Sequence, residues 1–194
     1  MILGATSLSY SISPPIQSHP DLVFALICLT CVIASITDVT KGKIKNWLTL
    51  PLICAAPLAA LIFQGGDAAL QSLSGLAVAL LAFGILFATG ILGAGDVKFL
   101  MALSAWAGPG FALSSAILSL FVGAFLSLLQ LAYHGRLISF LKRMYRFVLT
   151  LLVKEMQLEK PKVDKKLTFP FAIPISVAGI WTFLENPLKK WGIL

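Results

Sequence analysis

The chain has 194 residues, of which 58% are hydrophobic and only 12% charged. Soluble domains carry about 25% charged residues, so this composition argues against a small soluble enzyme, and equally against a disordered chain, which needs low hydrophobicity and high charge. The net charge of +7 then reads as cytoplasmic loop charge and attraction to anionic lipid. No aromatic-rich RNA motif, zinc finger or basic recognition helix accompanies it, so nucleic acid is not an expected partner. An all-α polytopic membrane protein remains, with room for about six to eight spans of ~20 residues.

Residues 1–20 hold no Lys or Arg and contain Pro14, Pro15 and Pro20. Without a basic n-region or a small-residue cleavage site they do not form a secretory signal, and they are read as a polar extracytoplasmic tail. Residues 21–194 form a single membrane-embedded domain. Leu22 to Thr37 is uncharged and closes on a cluster of Asp38, Lys41, Lys43 and Lys45. Trp47 to Gln64 is the next uncharged run, with Trp47 suited to the membrane interface. A turn at Gln64-Gly65-Gly66-Asp67 leads into 28 uncharged residues, Ala68 to Gly95, interrupted by Asp96 and Lys98. Phe99 to Gly135 is uncharged for 37 residues. Gly108-Pro109-Gly110 is a turn signal that divides this stretch into a short helix near 96–107 and a long one near 110–133. The last span runs from Leu167 to Leu184.

Six spans result, and the fourth is short. About 12 residues at 1.5 Å each cover only about 18 Å, against a ~30 Å hydrocarbon core. Either neighbouring helices enclose it or the bilayer thins there. The long polar loop 134–166 carries Arg136, Lys142, Arg143, Arg146, Lys154, Lys160, Lys162, Lys165 and Lys166. Its first part, 137–153, is expected to be an interfacial amphipathic helix, since three central cations are costly in lipid. The rest reads as a solvated linker. Lys and Arg concentrate in loops 38–46 and 134–166, so those loops are assigned to the cytoplasm and both termini to the outside.

Cys28 and Cys31 form a C-x-x-C, but both sit mid-span and no second pair completes a four-ligand site. With Cys54, they are expected to be small packing residues. His19 and His134 belong to no ligand cluster. Neither a metal nor another cofactor is expected.

Asp38 and Asp96 stand apart from the other acidic residues. Each ends a long apolar run at its cytoplasmic end, and 58 positions separate them. Two spans, a basic loop and an outer turn fill that interval, so Asp96 returns to the face that holds Asp38. Two carboxylates close together in a partly desolvated place cannot both ionise easily, and they share a proton. One can then deprotonate water while the other, protonated, polarises a scissile carbonyl. Gly93 and Gly95 precede Asp96, and small residues there let backbones approach closely. Against this stands the ordinary reading of a span-end aspartate as an interfacial residue paired with lysine. The residues alone leave both open.

At these positions the chain resembles the type IV prepilin peptidases, membrane aspartic proteases with a G-x-G-D motif. Their first catalytic aspartate precedes a basic stretch ending in Ile-Pro-Asn and a Leu-Thr-Leu-Pro-like helix start. Here that reads Asp38, then Ile44-Lys45-Asn46-Trp47-Leu48-Thr49-Leu50-Pro51, with Lys45 where Pro is usual. The second lies in G-x-G-D-V-K, here Gly93-Ala94-Gly95-Asp96-Val97-Lys98, followed by Trp106 and Gly108. A Pro-aromatic-small segment, Pro170-Phe171-Ala172, similarly opens the last span. Presenilin-like proteases share G-x-G-D but place Tyr before the first aspartate, where this chain has Thr37.

The resemblance implies an aspartic endopeptidase of the bacterial cytoplasmic membrane. Its catalytic residues would be Asp38 and Asp96, supported by Gly93, Gly95, Lys98, Asn46 and Pro170. Its substrate would be a prepilin or pseudopilin with a short basic leader, cut at the cytoplasmic face among membrane lipids. Long members carry a four-cysteine cytoplasmic insertion and also N-methylate the new end. Lacking both insertion and cysteines, this chain looks like the short, peptidase-only members serving tight-adherence (Flp) pili. The rival from a different class is a non-enzymatic transporter or assembly subunit in which intramembrane carboxylates carry protons or hold helices together.

Overall fold

The computed structural model describes residues 14–16, 19–135, 138–140, 142, 145 and 170–190. Every regular element among them is helical: α1 (Pro20–Lys41), α2 (Asn46–Gln64), α3 (Gly66–Ala88), α4 (Ala94–Ala107), α5 (Pro109–Tyr133), α6 (Ala172–Leu184) and a single turn, α7 (Pro187–Lys190). The chain divides into two compact units, Met1–Gly123 with Pro170–Leu194, and Ala124–Phe169. The second contains the C-terminal turns of α5, where His134 Nδ1 lies 2.8 Å from the Gln130 carbonyl oxygen.

Helix boundaries follow local chemistry. Pro20 opens α1, where its missing N–H costs nothing. Gly42 ends it in the left-handed region (φ 60°, ψ 23°) with its N–H on the Asp38 carbonyl at 2.7 Å, a glycine C-cap. Gly108, at φ 90° and ψ 178°, turns the chain between α4 and α5 in a conformation that only glycine adopts readily. The expected split of the 37-residue apolar run at Gly108-Pro109 is therefore observed. Lys45, standing where the family pattern has proline, takes φ −80° and ψ 133°. A proline would impose nearly the same φ, so the turn into α2 keeps its shape.

In the first unit, α4 occupies the centre. It packs against α2, α3, α1 and α6, and Val97, Phe99, Leu100, Ala102, Leu103, Ser104, Ala105 and Ala107 are all buried. Those positions go around the helix rather than along one stripe, so α4 has no face left for lipid. That resolves its length: at 14 residues it covers about 21 Å, and its neighbours enclose it.

Close approach comes from small side chains. On α3 the buried residues are Ala68, Ser72, Gly75, Ala79 and Phe83, a helical stripe of mostly small residues. There Ser72 Oγ donates to the Ala105 carbonyl at 2.7 Å. From α2, the Leu52 carbonyl accepts the Trp106 indole N–H at 3.1 Å. At the far end of α4, Pro15 lies beneath Gly108, and residues 14–16 of the N-terminal tail are buried.

Outward faces carry large apolar side chains: Leu22, Leu29 and Ile36 on α1, Ile62 on α2, Leu81 on α3 and Phe121 on α5 are all exposed. Such a surface suits lipid and not water. Among the described residues, four helices (α1, α2, α3 and α5) are long and apolar enough to cross a membrane. The expected fourth and sixth spans correspond to α4 and α6, of 14 and 13 residues. Residues 138–140, 142 and 145 are helical and exposed. The rest of the expected amphipathic helix 137–153, and the linker after it, lie outside the described residues.

Candidate active site

Helical register decides where Asp38 goes. The buried residues of α1 are Val23, Ile27, Thr30, Cys31, Ala34 and Asp38, which recur every three or four positions and share one face. Asp38 therefore points inward, 8% exposed, and not to the headgroup region as a span-end anchor would. Its Oδ2 accepts a hydrogen bond from the Ala172 backbone N–H at 3.1 Å. Ala172 is the first residue of α6, and the first N–H groups of any helix lack internal partners. A carboxylate on them is favoured by the hydrogen bond and by the helix dipole.

Asp96 is placed by its own helix. Gly93 is the N-cap of α4 and Asp96 the third helical residue. Its Oδ2 accepts the Gly93 N–H at 3.1 Å, while the Asp96 N–H donates to the Gly93 carbonyl at 3.1 Å. The Asp96 carboxylate supplies the acidic half of a capping box, and the Gly93 backbone carbonyl serves where glycine has no side chain to offer. The G-x-G-D spacing thus forms a tight, self-capped helix start that aims a carboxylate.

The two sequence motifs fold onto each other. A Cβ on Gly95 would lie 3.4 Å from the Ile44 Cβ, so the loop after α1 rests on the start of α4. Lys98 Nζ donates to Asn46 Oδ1 at 3.2 Å, tying the starts of α4 and α2 together. Asp38 is near enough for its charge to act on the Asp96 carboxyl. One end of the bundle thus gathers Asp38, Asp96, Gly93, Gly95, Lys98 and Asn46. Pro170 lies two residues before the N–H that Asp38 accepts.

Several supporting residues were not evident from sequence. Ala172 contributes a backbone N–H, which no side-chain pattern announces. Phe171, beside it, packs on Phe83 of α3 with ring centroids 6.2 Å apart. Its ring edge also fills the space over Gly123 of α5, where a Cβ would stand 2.6 Å from Phe171 Cε2. Phe171 therefore wedges the start of α6 into place, and Gly123 makes room for it. The available signal was the Phe-Pro-Phe-Ala string, which marks where α6 starts but not what it touches.

A model of the type IV leader peptidase family matches residues 25–128, more than half of the chain. The chain belongs to the type IV leader peptidase family. The match takes in both aspartates, the G-x-G-D-V-K block and Trp106, and stops before α6. Neither the curated proteins nor the solved structures gave a significant match. Membership makes the chain a peptidase of the prepilin-processing kind. Together with the four long apolar helices it makes it a multi-pass membrane protein, for which prepilin-like substrates are implied.

Proposed function

We propose that this leader peptidase is an aspartic endopeptidase that removes the short basic leader of a prepilin-like protein at the cytoplasmic membrane face, with Asp38 and Asp96 as its catalytic pair. The observation that carries this reading is the convergence of both carboxylates at one end of the bundle, each fixed through Oδ2 by a backbone N–H, with Asp96 within reach of the charge on Asp38. Like charges so placed share one proton. The ionised member takes a proton from water as it attacks the scissile carbonyl carbon. The protonated member donates to the carbonyl oxygen, and the tetrahedral intermediate collapses as a proton passes to the leaving amine. Lys98 and Asn46 brace the two helix starts, and Pro170 sets the approach to α6.

The same reading assigns the chain to the short, peptidase-only form serving tight-adherence pili, without methyltransferase activity. It keeps six membrane-inserted helices, with α4 and α6 reaching depth inside the bundle. Processing of a co-expressed prepilin, followed as a shortened product with a new N-terminus by mass spectrometry, tests the activity. A pilin left at full length by abundant wild-type enzyme would count against it.

Orientation has its own test. Twelve Lys and Arg in loops 38–46 and 134–166 assign both loops to the cytoplasm, where a prepilin leader resides. With Cys28, Cys31 and Cys54 changed to Ser, single cysteines are placed at Lys43, Asp67 and Lys162. An impermeant maleimide added to intact cells is expected to label only the Asp67 position. Labelling at 43 or 162 would put the carboxylates on the side opposite the leader.

The wedge at α6 gives a further expectation. Gly123→Val sets branched carbons where the Phe171 ring now lies. Displacing Phe171 moves the Ala172 N–H off Asp38, and ångström errors in catalytic geometry cost up to about 10²-fold. Processing is expected to fall at least tenfold while the protein still accumulates. Full activity in that variant would show that Phe171 does not set the site.

A further inference from the structure

Directly beneath the contact between Asp38 and Ala172, the α1–α6 seam contains polar atoms that the mechanism above does not use. Ser35 Oγ and Ser176 Oγ are 3.0 Å apart. Ser176 Oγ also donates to the Cys31 carbonyl at 3.3 Å. A hydroxyl has one proton, so with that of Ser176 on Cys31, Ser35 is the donor to Ser176. Cys31 and Ser35 lie seven and three residues before Asp38, and Ser176 lies four residues after Ala172. On antiparallel helices these intervals place the serine bridge one turn deeper than the carboxylate contact, on the same seam.

We infer that Ser35 and Ser176 are positioning residues for the proposed peptidase: their bridge fixes the register of α6 against α1 and so holds the Ala172 N–H on Asp38. The inference rests on Asp38 being catalytic. Two consecutive rungs of one seam fix both the slide and the rotation of α6. With one rung, the helix can slip about the other. The contact at the top rung is 3.1 Å, and a slip of about 1 Å is enough to break it. Ser176 is buried, so water competes little for its side of the bridge. The bridge touches neither substrate nor reacting atoms in this account. Its removal is expected to lower the rate of the chemical step and to leave substrate binding alone.

The test uses the full-length enzyme in membranes or detergent with a purified prepilin, comparing Ser35→Ala, Ser176→Ala, the double variant and Ser35→Thr. Ser35→Ala is expected to lose roughly tenfold in kcat and Ser176→Ala at least as much, with KM unchanged in both. The double variant is expected to match Ser176→Ala, because removing Ser176 takes away both of its bonds to α1, whereas Ser35→Ala leaves the bond to the Cys31 carbonyl. Ser35→Thr, which keeps the hydroxyl at a half-buried position, should recover most of the rate. Ser176 is more deeply buried than Ser35. If Ser176→Ala does not accumulate, the Ser35 pair of variants decides alone.

Unchanged kcat in Ser35→Ala overturns the inference, and so do losses that multiply in the double variant or fall on KM. Asp38→Asn is run alongside. Activity in that variant would remove the aspartic reading itself. An inactive Asp38→Asn beside fully active serine variants would remove only the positioning role.

Discussion

Asp38→Asn and Asp96→Asn are each expected to reduce prepilin processing by about 10²–10⁴-fold, the scale of lost acid–base catalysis, while the protein accumulates normally. Asparagine keeps the shape of aspartate and retains an oxygen that accepts a hydrogen bond. The Ala172 N–H and the Gly93 N–H therefore keep their partners in the respective variants, and the local fold has no reason to change. What disappears, on the proposed mechanism, is the proton shared by the pair. An amide neither takes a proton from water nor delivers one to a carbonyl, and the remaining carboxylate cannot fill both roles. Cleaved and uncleaved pilin separate on a gel, and quantitative mass spectrometry extends the range to the expected residual rate. Near-normal cleavage by either variant would mean that the carboxylates serve as structural caps and that the chemistry lies elsewhere.

The second large effect concerns stability rather than catalysis. Gly75→Ala is expected to destabilise the protein by about 3 kcal/mol, the upper part of the range for overpacking. A Cβ there would collide with the Ser104 carbonyl oxygen and stand 2.9 Å from the Gly108 carbonyl carbon. Both are backbone atoms that no rotamer change can move aside. If α3 backed away, the Ser72 bond to the Ala105 carbonyl would open and the central helix would lose its closest neighbour. For a chain of this size about 3 kcal/mol corresponds to roughly 6–12 °C in Tm, readable by thermal unfolding in detergent. Gly84→Ala, on the same helix, is the control. Its Cβ would meet only Leu80 Cδ1 at 3.7 Å, an ordinary contact. Equal melting temperatures in the two variants would show that the α3–α4 seam is not tight.

Asp38 and Asp96 illustrate what a membrane sequence exposes. Charges are rare in spans, so each one marks a boundary or a site, and parity over 58 residues carries Asp96 back to the face of Asp38 without knowledge of packing. The glycine-proline turn at Gly108 and Pro109 was legible for a similar reason, because backbone chemistry acts locally. The partners of those aspartates were not. In water a helix declares its buried face by being apolar on one side only. In lipid both faces are apolar: on α1, Ile27 is buried and Ile36 exposed, and nothing in the residue type separates them. The contact of Gly123 with Phe171 leaves no periodic trace, and the small-residue stripe that holds Gly75 does not say which backbone it meets. The Ala172 N–H leaves none at all, since every helix start has one. Length was the remaining ambiguity, because α4 is too short for lipid yet long enough for a core.

That central helix bears on how the protein enters the membrane. Its 14 residues include Asp96 and Lys98 in the first turns, and a charge facing hydrocarbon costs several kcal/mol on insertion scales. A nascent α4 leaving the translocon alone would have no stable home in lipid. It needs the polar surface already waiting on its neighbours: the Ser72 hydroxyl on α3, the Leu52 carbonyl on α2 and Asn46 for its lysine. All of these are synthesised earlier in the chain. The polar groups that receive α4 on α2 and α3 thus precede it in the chain. The site comes into being only when that late, weakly hydrophobic segment is accepted, so the chain holds no aspartate pair while its early helices are still being made.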